Sequence, residues 1–160
     1  MALRRNASVV VVAALGLTLL GCSHEGPQAN LGSEIGLHLS MNGAAATLAY
    51  GRANSDDVGL VMQCQAGSRM IDVSDLARGG GPAALVLTSG KARSQLPARL
   101  DTTNGLPTLW AKADVASPAL VAFRDSGRIS VVAGAARYGI AASRGEQVRV
   151  ESFFRTCESA

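Results

Sequence analysis

Aromatic residues are scarce in this chain: one Trp, two Tyr and three Phe among 160 residues, 4% of the total. So few rings leave little to spare for a ligand platform, and most of Trp110, Phe123, Phe153 and Phe154 are expected in the core. Histidine is scarcer still, with only His24 and His38, and three cysteines without a C-x-x-C spacing do not supply a zinc site. A serine hydrolase needs a Ser on a sharp turn with a His base and an orienting acid, but G-x-S-x-G is absent and His38 falls on an outward strand position. Charged residues make up 17%, 15 basic against 12 acidic. In the C-terminal third Arg124, Arg128, Arg137, Arg144, Arg149 and Arg155 are interleaved with Asp125, Glu146 and Glu151, which reads as a solvated surface. A nucleic-acid partner would need a concentrated basic face, and none is expected. No apolar run reaches the roughly 20 residues needed to span a bilayer.

What is present begins with an address. Arg4 and Arg5 precede Val9 to Leu20, twelve residues interrupted only by small Ala, Gly and Thr, and Ser23, His24 and Glu25 close the far side. A positive segment followed by a short apolar run has the form of a secretory signal rather than of a membrane anchor. Leu19-Leu20-Gly21-Cys22 then resembles the lipobox of bacterial lipoproteins. The resemblance implies cleavage between Gly21 and Cys22, a diacylglycerol thioether on Cys22 and acylation of the new amino group. Two or three acyl chains hold a protein on a membrane where one binds marginally. The expected location is the bacterial cell envelope, lipid-anchored and facing the periplasm. Ser23 in place of Asp favours the outer membrane by the enterobacterial sorting pattern. The division expected is residues 1–21 as signal peptide, 22–33 as lipidated Cys and flexible tether, and 34–160 as one β-rich domain.

Export also frames the cysteines. With Cys22 lipidated, Cys64 and Cys157 remain as one candidate disulfide in an oxidising compartment, the alternative being two separate buried thiols. Closing a loop of about 94 residues is worth roughly 4–5 kcal/mol in the chain-entropy view.

Within the domain, turn signals recur at short intervals. Eighteen glycines exceed the usual share of roughly 7%. Ile35, Leu37, Leu39 and Met41 alternate with Gly36, His38 and Ser40, the period of a half-buried strand, and Asn42-Gly43 supplies a hairpin signal toward Ala44 to Tyr50. Gly59 to Gln65 and Arg69 to Ser74 flank Ala66-Gly67-Ser68. Ala83 to Ser89 leads through Gly90-Lys91 to Ala92 to Leu100, and Asn104-Gly105 precedes Thr108 to Ala113. Ala119 to Arg124 and Arg128 to Ala133 flank Asp125-Ser126-Gly127, and Tyr138 to Ala142 precedes Gln147 to Arg155. This predicts an all-β fold, an antiparallel sandwich or small barrel, with short helices able to intrude at Asp75 to Arg78 and Glu146 to Phe154. Leu60 to Val73 is similar to Leu120 to Val132 with one gap, so two similar halves are an open alternative.

The remaining motifs are bland. Asp56-Asp57 is the only adjacent carboxylate pair and reads as a solvated turn. Asn54, Asp56 and Asp57 lack the spaced pattern of a calcium loop, and Gly79-Gly80-Gly81-Pro82 lacks the Lys-Ser/Thr and helix of a phosphate loop. No cofactor or metal is expected, and no catalytic residues; the domain is not expected to be an enzyme, with an envelope enzyme of unknown reaction as the remaining alternative. Gly134-Ala135-Ala136-Arg137-Tyr138, then Ser143-Arg144-Gly145-Glu146 and late Cys157, resembles the C-terminal part of the membrane-bound inhibitors of c-type lysozyme, with Gly134 in place of their Ser and Arg144 in place of their Lys. That resemblance implies a small disulfide-bonded β-barrel lipoprotein whose partner is a cell-wall hydrolase. The general expectation is a non-catalytic envelope protein that binds a partner or supports the envelope. Arg137, Tyr138 and Arg144 on a candidate loop form its binding surface, since Arg and Tyr are enriched at interface hot spots.

Overall fold

The computed structural model describes residues 35–159 apart from 54, 56, 78–82 and 104. The signal peptide, Cys22, the tether, Asn54, Asp56, the Gly79–Pro82 run and Asn104 lie outside the described residues. The described residues form strands β1 (Ile35–Asn42), β2 (Ala45–Arg52), β3 (Val58–Gln65), β4 (Met70–Leu76), β5 (Ala84–Ser89), β6 (Ala92–Asp101) and β7 (Thr108–Asp114). Helix α1 (Pro118–Ser126), strands β8 (Arg128–Ala133) and β9 (Ala136–Ala141) and helix α2 (Arg144–Glu158) follow. All nine strands join one antiparallel sheet in the order β1-β2-β3-β4-β7-β6-β5-β8-β9, curled into a half-barrel. The fold is all-β in class, as the turn spacing predicts.

Three hairpins share one turn chemistry. Asn42 pairs with Ala45, Ser89 with Ala92 and Ala133 with Ala136, so each loop has two residues. Gly43, Gly90 and Gly134 open those loops at φ +58°, +57° and +61°. Ala44, Lys91 and Ala135 keep negative φ, which is the pattern of a type II′ turn. The first turn is thus centred one residue later than Asn42-Gly43.

Strand β6 makes the corner. Ala92–Pro97 pairs with β5 and Ala98–Asp101 pairs with β7. Pro97 has no backbone donor to give a ladder, so it suits the point where a strand leaves one neighbour for the next. The bend folds β5, β8 and β9 back toward β1–β4.

Both helices line the inside of the curl. Phe123 of α1 meets Phe154 of α2 edge to face at 6.3 Å, and Phe153 meets Phe154 at 5.4 Å; all three are fully buried. They pack with Leu48, Leu60, Met62, Leu87 and Val131 in one core. Burying a Phe contributes about 1.5–3 kcal/mol each.

The helices correct several sequence expectations. Ala119 to Arg124 is not a strand but the body of α1, and Asp125-Ser126-Gly127 is not a hairpin turn but its end. Pro118 occupies the first turn and Gly127, at φ +66°, donates its N–H to Phe123 O at 2.7 Å, the Pro-start, Gly-stop asymmetry of a helix. Gln147 to Arg155 lies inside α2, so the last element is not a strand but the helix that Glu146 to Phe154 is able to form, extended at both ends. Ser143 and Glu146 form its capping box, and Val150, Phe153, Phe154 and Cys157 face the core at i, i+3, i+4, i+7 spacing. Asp75 belongs to β4 and starts no helix. Leu60 to Val73 is a β3–β4 hairpin whereas Leu120 to Val132 is helix then strand, so the two segments do not fold alike.

Cys64 of β3 and Cys157 of α2 form a disulfide with Cα atoms 5.6 Å apart across 93 residues of sequence, as the cysteine count predicts. The β3–β4 turn completes the junction. Gly67 N–H donates to Thr156 O and Arg69 N–H to Cys157 O, each at 3.1 Å, so two carbonyls that the helix end leaves without partners are satisfied. Arg69 does this from φ +58°, the one non-glycine in the left-handed region among the described residues.

Candidate functional site

The curl brings β9 against the inner side of β2–β4 and opens a cleft of about 350 Å³ there. Its chemistry starts from three strand positions. Tyr50 follows Leu48 onto the inner face of β2, and Asp75 follows Ile71 and Val73 onto the inner face of β4. Tyr138 reaches them from β9. Its ring stacks on that of Tyr50 with centroids 6.1 Å apart and an interplanar angle of 11°. Its hydroxyl donates a hydrogen bond to Asp75 Oδ2.

Asp75 is only 3% exposed. Taking a carboxylate out of water costs several kcal/mol unless hydrogen bonds replace its hydration, so the Tyr138 hydroxyl has a structural duty as well as a place in the cleft. Gly59 gives the Tyr138 ring room, and Gly51 lets the backbone at Asp57 and Val58 come close. A Cβ on Gly59 would sit 3.3 Å from the Tyr138 hydroxyl, and one on Gly51 would sit 2.4 Å from Asp57 O. Ile35, Asp57, Ala136 and Arg137 complete the lining, with Arg137 exposed and Asp57 paired to Arg52 at 3.3 Å.

Of the residues the sequence singles out for binding, Arg137 and Tyr138 line this cleft and Arg144 does not. They stand on no common loop: Arg137 and Tyr138 are in β9, and Arg144 is the exposed first residue of α2. His38 is half-buried and its Nε2 lies 3.2 Å from Gly51 O, engaged with backbone rather than with a nucleophile. No group of three or more His, Cys, Asp or Glu able to hold a metal occurs among the described residues. Among them too, no helix is long and apolar enough to cross a membrane. Sequence reasoning missed Tyr50 and Asp75. The signal for Asp75 was its period-two spacing from Ile71 and Val73, which puts a carboxylate on a core face.

The other end of the helix layer is electrostatically fixed. Burial pushes the Glu146 carboxyl up, but hydrogen bonds from Ser143 and the Leu37 N–H, with Arg149 nearby, outweigh it and hold it below its usual range.

No protein-family model, curated protein or solved structure matches this chain.

Proposed function

We propose that the chain is a lipid-anchored protein of the bacterial cell envelope whose non-catalytic β domain faces the periplasm and binds a partner at the Tyr50–Asp75–Tyr138 cleft. The leader and the Leu19-Leu20-Gly21-Cys22 match support the anchor, and Ser23 favours the outer membrane. The observation that carries the binding reading is the cleft itself: stacked aromatic rings, a buried carboxylate and an exposed arginine converge where the chain enters the domain. Ile35 lines it, thirteen residues after Cys22, so a fully extended tether keeps the cleft within about 45 Å of the lipid.

Two experiments test the reading. Cys22→Ala should abolish incorporation of labelled palmitate and release the protein from membranes; a variant that still incorporates palmitate overturns the anchor. For the surface, Arg137→Ala and Arg144→Ala with Tyr138→Phe replace full truncation of Tyr138, which would also remove its stack and its bond to Asp75. An envelope partner bound equally by wild type and this triple variant overturns the choice of surface.

Inhibition of a cell-wall hydrolase is a second form of the same reading. The exposure of Arg144 at the rigid start of α2 favours it, since a residue that enters another protein's cleft has to be so presented. Residual activity of c-type lysozyme titrated with the chain decides it; full activity at equimolar protein excludes it.

A further inference from the structure

Trp110, the only tryptophan, is outside the core that takes all three phenylalanines. It is half-buried on the outer face of β7, opposite to the side that holds the Tyr138 cleft: Leu109, Ala111 and Ala113 point inward, and Thr108, Trp110, Lys112 and Asp114 point out. Strand register places it in the middle of a row Ser74–Trp110–Arg99 across β4, β7 and β6. A second row, Gln63–Asp72–Lys112, runs parallel to it across β3, β4 and β7, two residues or about 7 Å away. Pro97 closes the edge of the shallow depression, whose volume is about 580 Å³.

The chemistry of the two rows is specific. Arg99 lies 5.9 Å from the Trp110 ring centroid, a cation–π distance, and 3.6 Å from Asp101. Lys112 contacts Asp72 at 2.8 Å. Each cation therefore has its carboxylate, and the patch carries two positive and two negative charges. A polyanion such as nucleic acid or an anionic lipid gains nothing from a patch without net charge. The core of a protein–protein interface is depleted of Lys and Asp, whereas here both stand beside the aromatic. A ligand that fits must be uncharged, offer an apolar face to one indole, and bring hydroxyls that accept from Lys112 and the Gln63 amide and donate to Asp72. A pyranose ring has that make-up, C–H groups on its faces and hydroxyls on its rim.

We propose that the outer face around Trp110 is a binding site for a neutral pyranose chain, one ring stacked on Trp110 and its hydroxyls engaged by Gln63, Asp72 and Lys112. The site is distinct from the Tyr138 cleft and does not depend on the lipid anchor. A sugar of the cell wall and a free oligosaccharide share this chemistry, and the test separates them.

The test uses the full chain in detergent micelles, where all Trp emission comes from position 110. Titration with the tetramer of N-acetylglucosamine, and separately of glucose, should change that emission saturably at sub-millimolar to millimolar concentration. Heparin, a polyanion, should neither bind there nor compete. By calorimetry Trp110→Ala should weaken tetramer binding at least tenfold, and Trp110→Phe should retain part of it. Asp72→Asn with Lys112→Met, exposed and away from the core, should weaken it without changing the melting temperature by more than a degree or two, so the site can be judged even if Trp110→Ala fails to fold. Sedimentation with purified wall sacculi but no response to tetramers assigns the site to the wall polymer; response to tetramers alone assigns it to free oligosaccharide. No response to either, binding of heparin in their place, or tetramer binding unchanged in both variants overturns the proposal.

Discussion

Glu146, the third residue of α2, accepts the backbone N–H of Leu37 in β1 at 2.6 Å, and Arg149 one turn later donates to the Leu37 carbonyl at 2.9 Å. One helix face thus pairs both outward groups of an edge-strand residue, as a neighbouring strand would. An unpaired edge is a template for aggregation, and two charged side chains here blunt it while fixing the helix start to the sheet. Glu146 serves twice, since its other oxygen accepts from the Ser143 N–H at 2.7 Å.

Glu146→Ala is expected to cost about 1–2 kcal/mol, the combined loss of half a capping box and of the Leu37 acceptor. The pH dependence has a definite sign. The folded-state pKa of Glu146 lies below its ordinary value of 4.5, so its stabilisation is complete above that value and is lost as the pH falls through the folded one. Urea midpoints of wild type and variant should differ at pH 7 and converge toward pH 3; an equal gap at both pH values refutes the assignment.

Reduction of Cys64–Cys157 should lower stability by roughly 2–5 kcal/mol, and the unfolded, unreduced protein should offer neither sulfur to an alkylating agent. The bond fastens the last turn of α2 to β3, so loss of protection should be concentrated in α2 and the β3–β4 turn on hydrogen exchange. Uniform loss across the sheet would contradict this.

Hairpins were the legible part of the fold because their determinants are local: a glycine at the turn and period-two alternation on both sides. The helix α1 was misread because Ala119 to Phe123 is short and apolar, and such a run fits a buried strand or a buried helix equally well. Ser117-Pro118 and Gly127 carried the missing information at its two ends. For α2 the sequence leaves both readings open: Glu146 to Phe154 can form a helix, as it does, while the nine residues Gln147 to Arg155 with two arginines also pass for a half-exposed strand. In the cleft Arg137 and Tyr138 were legible as residue types, whereas Tyr50 and Asp75 join them only through the bend at Pro97, a non-local event that no window of sequence contains. Of Trp110, Phe123, Phe153 and Phe154 most are in the core, as expected, and Trp110 is the one outside it, because its register in β7 alternates with Leu109 and Ala111.

Arg69→Gly is expected to leave the fold intact and to raise stability, by up to about 1 kcal/mol. The left-handed conformation costs a side-chain-bearing residue about 1–2 kcal/mol, part of which glycine returns through the greater freedom of its unfolded chain. Arg69 holds its place through backbone groups, its N–H on Cys157 O and its O on the Val115 N–H at 3.0 Å, which glycine keeps. A drop of the thermal midpoint in Arg69→Gly would mean that the arginine side chain itself stabilises the junction.

The Tyr138 hydroxyl and Asp75 should be energetically coupled. Tyr138→Phe keeps the stack on Tyr50 and removes one donor from a nearly inaccessible carboxylate, so a loss of about 1–3 kcal/mol is expected. Asp75→Asn removes the charge while leaving an amide oxygen able to accept, so a smaller loss is expected from it alone. If the two side chains act on each other, the double variant should be less destabilised than the two losses added, by about 0.5–3 kcal/mol. Chemical denaturation of the four proteins of this cycle measures that difference. Strict additivity would mean that the contact contributes no coupling, that Asp75 is stabilised by its other surroundings, and that the cleft owes its shape to the Tyr50–Tyr138 stack alone.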